Sequence, residues 1–277
     1  AIACNHQGGI VMDGVLMRPN DHEFIYVQAN GDFLNWANAL IEDLDVSIRD
    51  FDSWVLQIQG PTSLEVLEAV SNISIEDFTY YSAVETEING NSFYISRSGW
   101  TGERGFEIYS KNADFDGVEL WSHLLEKGAS AGLMGSDVSS MHIRRIEAGI
   151  LDYGTDIDQT INPFEIGLER LVDLEKTNFI GQKALMKTNK KSIRLMGLLC
   201  EGASLTRGDK LLESGGQDIG FVSAGAWSPY LKSGVGLIRL NESKPHDYPL
   251  RVMTSSGEFD AKVIDLPFYD PKKLLAR

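Results

Sequence analysis

The stretch Glu85–Ser96 reads ETEINGNSFYIS and predicts a β-hairpin. Residues on either side of Asn89-Gly90 alternate between polar and apolar or β-prone types, which is typical of two short strands. Asn-Gly suits the two-residue type I′ turn, whose twist matches that of paired antiparallel strands. Local sequence alone therefore predicts antiparallel pairing in this part of the chain.

Further strands and helices surround this hairpin. A glycine-rich loop over Ser98–Gly105 leads into a strand at Phe106–Tyr109, and Ser53–Gln59 alternates as a strand that ends at Gly60-Pro61. Helices are predicted over Phe33–Leu44, Thr62–Val70, Phe115–Glu126 and Ser136–Ala148. At the second of these helices, Thr62 and Glu65 have the spacing of a capping box. This mixture predicts the α+β class with an antiparallel sheet.

The pattern changes after a polar, lysine-rich segment at 187–192. Short apolar strands beyond it are separated by Gly, Pro and Asp, as in a small β-barrel. We therefore predict an α+β fold in two domains. An antiparallel-sheet domain spans residues 1–190, and a small C-terminal β-barrel spans residues 191–277.

Composition excludes several classes of protein. Of the 277 residues, 43% are hydrophobic and 23% are charged, as in an ordinary globular chain. A net charge of −15 disfavours nucleic-acid binding, and no apolar run approaches the roughly 18 residues of a membrane span. Cys4 and Cys200 lie far apart, and the histidines lack metal-ligand spacing, so neither a disulfide framework nor a metal site is expected. A reducing, cytoplasmic setting fits best.

Individual residues leave their roles open. Asp13 lies at a glycine-rich turn, where it is either functional or a plain turn residue. Glu107 lies in a strand beside Phe106, and an inward-facing carboxylate there must be paired or used, whereas an outward-facing one needs no partner. Arg144-Arg145 is the strongest basic spot in this acidic chain. The plain alternative is one surface arginine and one internal salt bridge.

Two catalytic patterns receive no support. The loop Ser98–Glu103 is either a ligand cradle or a tight connection, and it lacks the Lys-Ser/Thr ending of a phosphate-binding loop. Gly128–Gly132 has the Gly-x-Ser-x-Gly spacing, but it follows a predicted helix and not the strand that a nucleophile elbow requires, so acyl-transfer hydrolase chemistry is not indicated.

An ordered set of motifs is more specific than any single residue. The set comprises Cys4–Asp13, Tyr26–Asn30, Gln59–Pro61, Ser96–Ile108, Arg145–Gly154, Asn162–Glu165, Phe179–Gln182 and Leu266–Phe268. In this order it strongly resembles the aminomethyltransferase family, the T-protein of the glycine cleavage system and its relatives. The likeness covers essentially the whole chain. It implies a folate-binding domain that is incomplete at its N-terminus here.

The resemblance implies a tetrahydrofolate-dependent one-carbon transferase and assigns roles to five residues. Asp13 matches the catalytic aspartate, and Asn30 matches an asparagine beside the pterin. Glu107 matches the glutamate that hydrogen-bonds the pterin, and Arg145 matches an arginine near the folate. Trp100 stands where the family commonly has tyrosine, which keeps an aromatic face but loses the hydroxyl.

These residue types suit the ligand. A reduced pterin presents an edge of N–H donors, and a charged contact to a carboxylate such as Glu107 contributes about 1.5–3 kcal/mol. The folate tail is anionic, so an arginine offsets the negative field of the protein. A carboxylate at Asp13 could stabilise positive charge that develops on the folate amine.

Three functions remain open within the resemblance. We expect demethylase-like transfer of a methyl group from a small donor to tetrahydrofolate, since the Trp100 indole could face a cationic sulfonium and a charge of −15 hinders docking of an acidic carrier. The first alternative is the aminomethyltransferase of the glycine cleavage system, which acts with a lipoyl carrier protein. The second is a non-catalytic folate-binding regulator, which would not need Asp13. The iron–sulfur-repair branch is disfavoured because Thr177–Gln182 lacks a cysteine.

Overall fold

The computed structural model describes residues 1–73, 78–188 and 192–277. Its strands, in chain order, are β1 Ile2–Cys4, β2 Ile10–Asp13, β3 Val15–Asn20, β4 Glu23–Val27, β5 Val55–Gln59, β6 Ala83–Ile88, β7 Asn91–Ser96, β8 Gly105–Ser110, β9 Leu195–Cys200, β10 Lys210–Leu212, β11 Asp218–Ser228, β12 Ser233–Leu240, β13 Pro249–Thr254 and β14 Gly257–Ile264. The strands form antiparallel sheets and one closed barrel. The predicted α+β fold with a C-terminal barrel is confirmed.

Two of the predicted helices, Phe33–Leu44 and Ser136–Ala148, are shorter in the structure, whereas the other two differ from the prediction by at most two residues at each end. The helices of the structure are α1 Phe33–Asn38, α2 Ser63–Val70, α3 Gly117–Gly128, α4 Val138–Glu147 and α5 Gln182–Leu185. Helix α1 was expected to reach Leu44, but none of its residues is buried, and helices depend on a packed face for most of their stability. Within the described residues, no helix has the length and apolar content needed to cross a membrane.

Contacts divide the chain into two units. Unit 1 comprises Ala1–Val15, Gln28–Phe33 and Ile143–Pro271. Unit 2 comprises Leu16–Val27, Leu34–His142 and Lys272–Arg277. The predicted domain boundary at 190/191 falls outside the described residues and stays a prediction.

Unit 2 is built on the sheet β5-β8-β7-β6. Its apolar face packs against α2 and α3, and the cluster comprises Ile58, Val66, Leu67, Val70, Phe78, Ile88, Phe93, Ile95, Phe106, Ile108, Leu120 and Leu124. Because successive strand residues point to opposite faces, the residues between these apolar positions line a polar face. On that face, Gln57 and Ser96 both lie directly across from Glu107 on the neighbouring strands.

Two local predictions for unit 2 have different outcomes. The turn between β6 and β7 places Asn89 at φ 49° and Gly90 at φ 78°, as a type I′ turn requires. The hairpin prediction is confirmed. The capping box is wrong, because Thr62 makes no cap hydrogen bond and its Oγ1 donates instead to the carbonyl of Ala131 at 2.9 Å.

Unit 1 contains the closed barrel β10-β11-β12-β9-β14-β13 and the short pair β1-β2. Apolar side chains fill the barrel interior: Met196, Leu198, Cys200, Ala203, Leu205, Leu211, Ile219, Val222, Ile238, Leu240, Leu250, Val252, Ala261 and Val263. Complete antiparallel closure leaves each of these strands hydrogen-bonded on both sides, so none presents an open edge.

Two methionines on barrel strands provide a test of this packing. Met196 is 7% exposed within the core cluster, whereas Met253 is 47% exposed. We expect Met196→Ala to lower the free energy of unfolding by about 2–5 kcal/mol, because it leaves a cavity. Met253→Ala is the matched control and should stay within about 0.5 kcal/mol of wild type. Urea unfolding measures both, and equal losses would contradict the described barrel core.

Candidate functional site

The five predicted site residues lie in both units. Asp13 ends β2, Asn30 follows β4 and Arg145 lies in α4, and all three belong to unit 1. Trp100 lies in the loop between β7 and β8, and Glu107 lies in β8, so both belong to unit 2.

Asp13 is a partly buried carboxylate at the end of a strand. It lies across from Ile2 of β1. Burial raises the pKa of Asp13 to about 6, with smaller upward contributions from Asp152 and Asp156. The Asp13 carboxyl group therefore exchanges its proton close to neutral pH, which suits a group that holds or moves a proton.

Arg145 belongs to a buried ion pair. Its Nη1 donates to Asp156 Oδ2 at 2.7 Å and to the carbonyl of Ile150 at 3.1 Å. The side chains of Arg145 and Asp156 are 1% and 0% exposed. Asp156 also accepts from Ser223 Oγ at 2.6 Å and from the backbone N–H of Asp152 at 2.9 Å. Helix α4, the turn after it and strand β11 are thereby joined at one carboxylate.

Both arginines of the basic spot have acidic partners. Arg144 pairs with Glu147 at 2.6 Å, and Arg145 pairs with Asp156. The charge of Arg145 is therefore balanced inside unit 1, and its burial favours a positioning role over a contact with an anionic folate tail. Direct contact between Arg145 and folate stays a prediction.

Asn30 is exposed, but its side chain is anchored. Asn30 Nδ2 donates to Asp152 Oδ1 at 3.1 Å. The neighbouring Gly31 has φ 94°, and a Cβ there would lie 2.7 Å from the terminal methyl of Met12, so glycine allows the loop to approach that side chain closely. The Asp152 contact and the tight turn together define where the Asn30 amide lies.

Glu107 is partly buried and accepts from three side chains. Gln57 Nε2 donates to Oε1 at 2.9 Å, and the hydroxyl of Tyr109 donates to Oε2 at 2.9 Å. Ser98 Oγ also donates to Oε2. Burial, and then the Glu107 charge, raise the pKa of Tyr109 well above its usual range, so the phenol keeps its proton and remains a donor. Glu107 is therefore a paired carboxylate.

The side chain of Gln59 organises the loop that carries Trp100. Thr101 Oγ1 donates to Gln59 Oε1 at 2.7 Å, and Gln59 Nε2 donates to the carbonyl of Ser98 at 3.4 Å. A Cβ on Gly99 would lie 2.2 Å from the Gln59 amide, and one on Gly105 would lie 2.3 Å from it. These glycines therefore make room for an amide that braces the loop on both sides of Trp100.

Several residues that shape the site were not among the predicted ones. The residues in this group are Gln57, Gln59, Ser98, Tyr109, Asp152 and Asp156. Tyr109 was accessible to sequence reasoning, because it lies two residues from Glu107 and shares its face of the strand. Gln57 and Asp152 were not, since they meet their partners through strand pairing and through contacts between distant segments.

Each unit, taken by itself, has an acceptor oxygen of a kind that suits a reduced pterin. The donors to Glu107 use three of the roughly four acceptor positions of a carboxylate, which leaves one on Oε1 among the described contacts. Gln28 Oε1 is buried and has no hydrogen-bond partner among the described residues. Both oxygens are acceptors of the kind that N–H donors on a pterin need. The described residues contain no group of three or more metal-ligating side chains.

Comparisons with known proteins agree with this combination of fold and residues. Residues 1–176 match the GCVT N-terminal domain, and residues 194–270 match the glycine cleavage T-protein C-terminal barrel domain. The chain therefore has the two-part architecture of a glycine cleavage T-protein. It belongs to this family, as the ordered motifs predicted, and enzymes of the family use tetrahydrofolate.

Individual relatives support the same assignment. The aminomethyltransferase of Thermotoga neapolitana is 32% identical, over 97% of this chain and 75% of its own. That of Halothermothrix orenii is 29% identical, over 96% of this chain and 76% of its own. The crystal structure of the glycine cleavage system aminomethyltransferase T from Bartonella henselae has a TM-score of 0.86 at 23% identity, covering 97% of this chain and 74% of that one. This structure supports the fold.

The raised pKa of Asp13 predicts an unusual dependence of stability on pH. Between its ordinary pKa of 3.8 and about 6, folded Asp13 binds more protons than unfolded Asp13. Protonated Asp13 therefore stabilises the folded protein fully below pH 3.8, and this contribution is lost as the pH rises through about 6. We expect Asp13→Asn to raise the melting temperature at pH 7.5, which corresponds to a gain on the order of 2 kcal/mol in the free energy of unfolding. The substitution should have little effect below pH 4.

Asp158 supplies a control of opposite sign. Burial at Asp158 is outweighed by hydrogen bonds from Thr160 and Arg239, so the pKa of this group is lowered. Ionised Asp158 stabilises the folded protein above pH 3.8, and this contribution is lost as the pH falls through the lowered pKa. Asp158→Asn should therefore lower the melting temperature at pH 7.5. Calorimetric scans from pH 3.5 to 8 compare both variants, and a destabilised Asp13→Asn at pH 7.5 would contradict the prediction.

Proposed function

We propose that this chain acts as an aminomethyltransferase of the glycine cleavage type, passing a one-carbon unit to tetrahydrofolate. The match of residues 1–176 and 194–270 to the two T-protein domains is the observation that carries this proposal. The relatives described above carry the name aminomethyltransferase. The comparisons support this alternative better than the demethylase-like reaction that we expected first.

Asp13 is the proposed catalytic residue. Tetrahydrofolate supplies the amine nitrogens that take up the one-carbon unit. The Asp13 carboxylate, ionised above about pH 6, stabilises positive charge at the reacting centre and holds a proton when one is released. Its partial burial strengthens such interactions because water screens them less.

The other predicted residues bind and orient the pterin. Glu107 accepts from the N–H edge of the pterin while Ser98 and Tyr109 hold its second oxygen. Trp100 offers an aromatic face from the loop that Gln59 braces. Asn30 contributes an amide beside the pterin. Arg145 has an indirect, positioning role, because its side chain holds Asp156 in place within unit 1.

The proposal includes a partner and a location. Glycine cleavage T-proteins work with the lipoyl-bearing H protein, so the donor is an aminomethyl group on such a carrier. A small methyl donor remains the second candidate, supported by the indole of Trp100. We propose no nucleic-acid partner, because of the net charge of −15, and we propose a cytoplasmic location, where the free thiols of Cys4 and Cys200 would stay reduced.

Glu107 tests the binding part of the proposal. We expect Glu107→Gln to weaken tetrahydrofolate binding about 10- to 100-fold, since a charged hydrogen bond is worth about 1.5–3 kcal/mol. Isothermal titration calorimetry measures the affinity. Glu85→Gln is the control, because Glu85 lies on the same sheet and pairs with Lys111 at an exposed position. Equal affinities of Glu107→Gln and wild type would contradict the assigned role.

Product analysis tests the reaction. The protein is incubated with tetrahydrofolate and either an aminomethyl-lipoyl carrier or dimethylsulfoniopropionate, and folate products are identified by mass. We expect 5,10-methylenetetrahydrofolate and ammonia from the carrier. Asp13→Asn should bind folate within a few fold of wild type but turn over roughly 10²-fold more slowly. Wild-type activity should rise as the pH passes 6, because Asp13 then ionises.

Other outcomes identify the competing functions. Formation of 5-methyltetrahydrofolate from the small donor, with no reaction of the carrier, would overturn the proposal in favour of the demethylase-like reaction. Folate binding without turnover of either donor would indicate the regulatory protein. Normal turnover by Asp13→Asn would return Asp13 to the role of a turn residue.

A further inference from the structure

The side chain of Asn30 is held by a buried carboxylate from a distant segment. Asn30 is exposed, whereas Asp152 is 8% exposed, and the two residues are 122 positions apart in the chain. Asn30 Nδ2 donates to Asp152 Oδ1 at 3.1 Å. The resemblance places Asn30 beside the pterin and gives no role to Asp152.

This contact decides which end of the Asn30 amide is available. An asparagine side chain carries a donor NH2 and an acceptor oxygen, and unaided it can present either one. A carboxylate offers acceptors only, so Asn30 must turn its NH2 toward Asp152. Its Oδ1 then points away from Asp152, so the amide oxygen of Asn30 is available to a ligand as an acceptor.

Asp152 is itself rigidly placed. Thr155 Oγ1 donates to its second oxygen, Oδ2, at 2.7 Å, and its backbone N–H donates to Asp156 at 2.9 Å. Asp156 is in turn fixed by Arg145 and Ser223. The orientation of an exposed amide is thus set by a chain of hydrogen bonds that starts at a buried ion pair.

We propose that Asp152 is a positioning residue that locks Asn30 as a hydrogen-bond acceptor and so selects the reduced pterin. N5 and N8 of a tetrahydropterin carry hydrogens, whereas the same atoms of a fully oxidised pterin carry none. An acceptor at Asn30 is satisfied by the reduced ring and left unsatisfied by the oxidised one, and an unsatisfied polar group weakens binding. This inference rests on the proposed function for the contact between Asn30 and folate.

Binding selectivity provides the test. Calorimetry measures the affinities of wild type, Asn30→Ala, Asp152→Asn and the double variant for tetrahydrofolate and for folic acid. Asparagine at 152 can donate or accept, so it no longer fixes Asn30. We expect Asp152→Asn to bind tetrahydrofolate about tenfold more weakly and folic acid nearly as wild type does. The ratio of the two affinities therefore falls.

The double variant and a control separate positioning from general damage. If Asp152 acts through Asn30, the double variant should bind tetrahydrofolate no more weakly than Asn30→Ala, because interacting sites are not additive. Asp158→Asn removes another carboxylate from unit 1, one that pairs with Arg239, and should keep the wild-type ratio. If Asp152→Asn does not fold, Thr155→Val loosens Asp152 without removing its charge and should lower the ratio in the same direction.

The outcomes distinguish this inference from the proposed function. An unchanged ratio in Asp152→Asn, or additive losses in the double variant, would overturn the positioning role while a weakened Asn30→Ala left the folate contact standing. Wild-type affinity in Asn30→Ala, or no tetrahydrofolate binding by the wild type, would overturn the assigned contact and this inference with it.

Discussion

The buried ion pair between Arg145 and Asp156 constrains much of unit 1. Both side chains lie out of water, and leaving either charge without its partner would cost about 3–5 kcal/mol. Asp156 also accepts from Ser223 on the barrel and from the backbone of Asp152. Because both charges must stay paired, helix α4, the barrel and the turn keep fixed positions relative to one another. Asp152 in this turn accepts from Asn30 and so orients the Asn30 side chain.

In unit 2, the Glu107 carboxylate is likewise fixed by hydrogen bonds from its neighbours. Strand pairing places Gln57 and Ser96 on either side of it, and donors from Gln57, Ser98 and Tyr109 hold its carboxylate. A charged group fixed in this way needs little rearrangement when a ligand binds, which is the usual basis of electrostatic preorganisation. The polar face of the sheet thus holds a preorganised carboxylate, while its apolar face supports stability.

Acidic residues near Asp13 help to raise the pKa of its carboxyl group. A net charge of −15 spread over the surface is largely screened by salt. At Asp13, burial adds to the nearby charges of Asp152 and Asp156, and the pKa rises to about 6. The same features that destabilise an ionised Asp13 make its proton available near neutral pH, which is a common compromise between stability and function.

The sequence by itself determined the features that depend on near neighbours. The type I′ turn at Asn89-Gly90 requires only residues that tolerate positive φ, and the barrel strands are marked by apolar runs between Gly, Pro and Asp breaks. The ordered motifs were enough to identify the family and to point to Asp13 and Glu107. Helix α1 was predicted too long because apolar spacing cannot tell whether a packing surface exists.

Only the tertiary structure decided how the charged and polar groups are partnered. Adjacent arginines at 144 and 145 look alike in the sequence, yet one pairs with Glu147 and the other is buried against Asp156. The link between Asn30 and Asp152 spans 122 positions and leaves no periodic signal. Hydrogen bonds and ion pairs depend on distances of a few ångströms between distant segments, and local patterns carry no record of those distances.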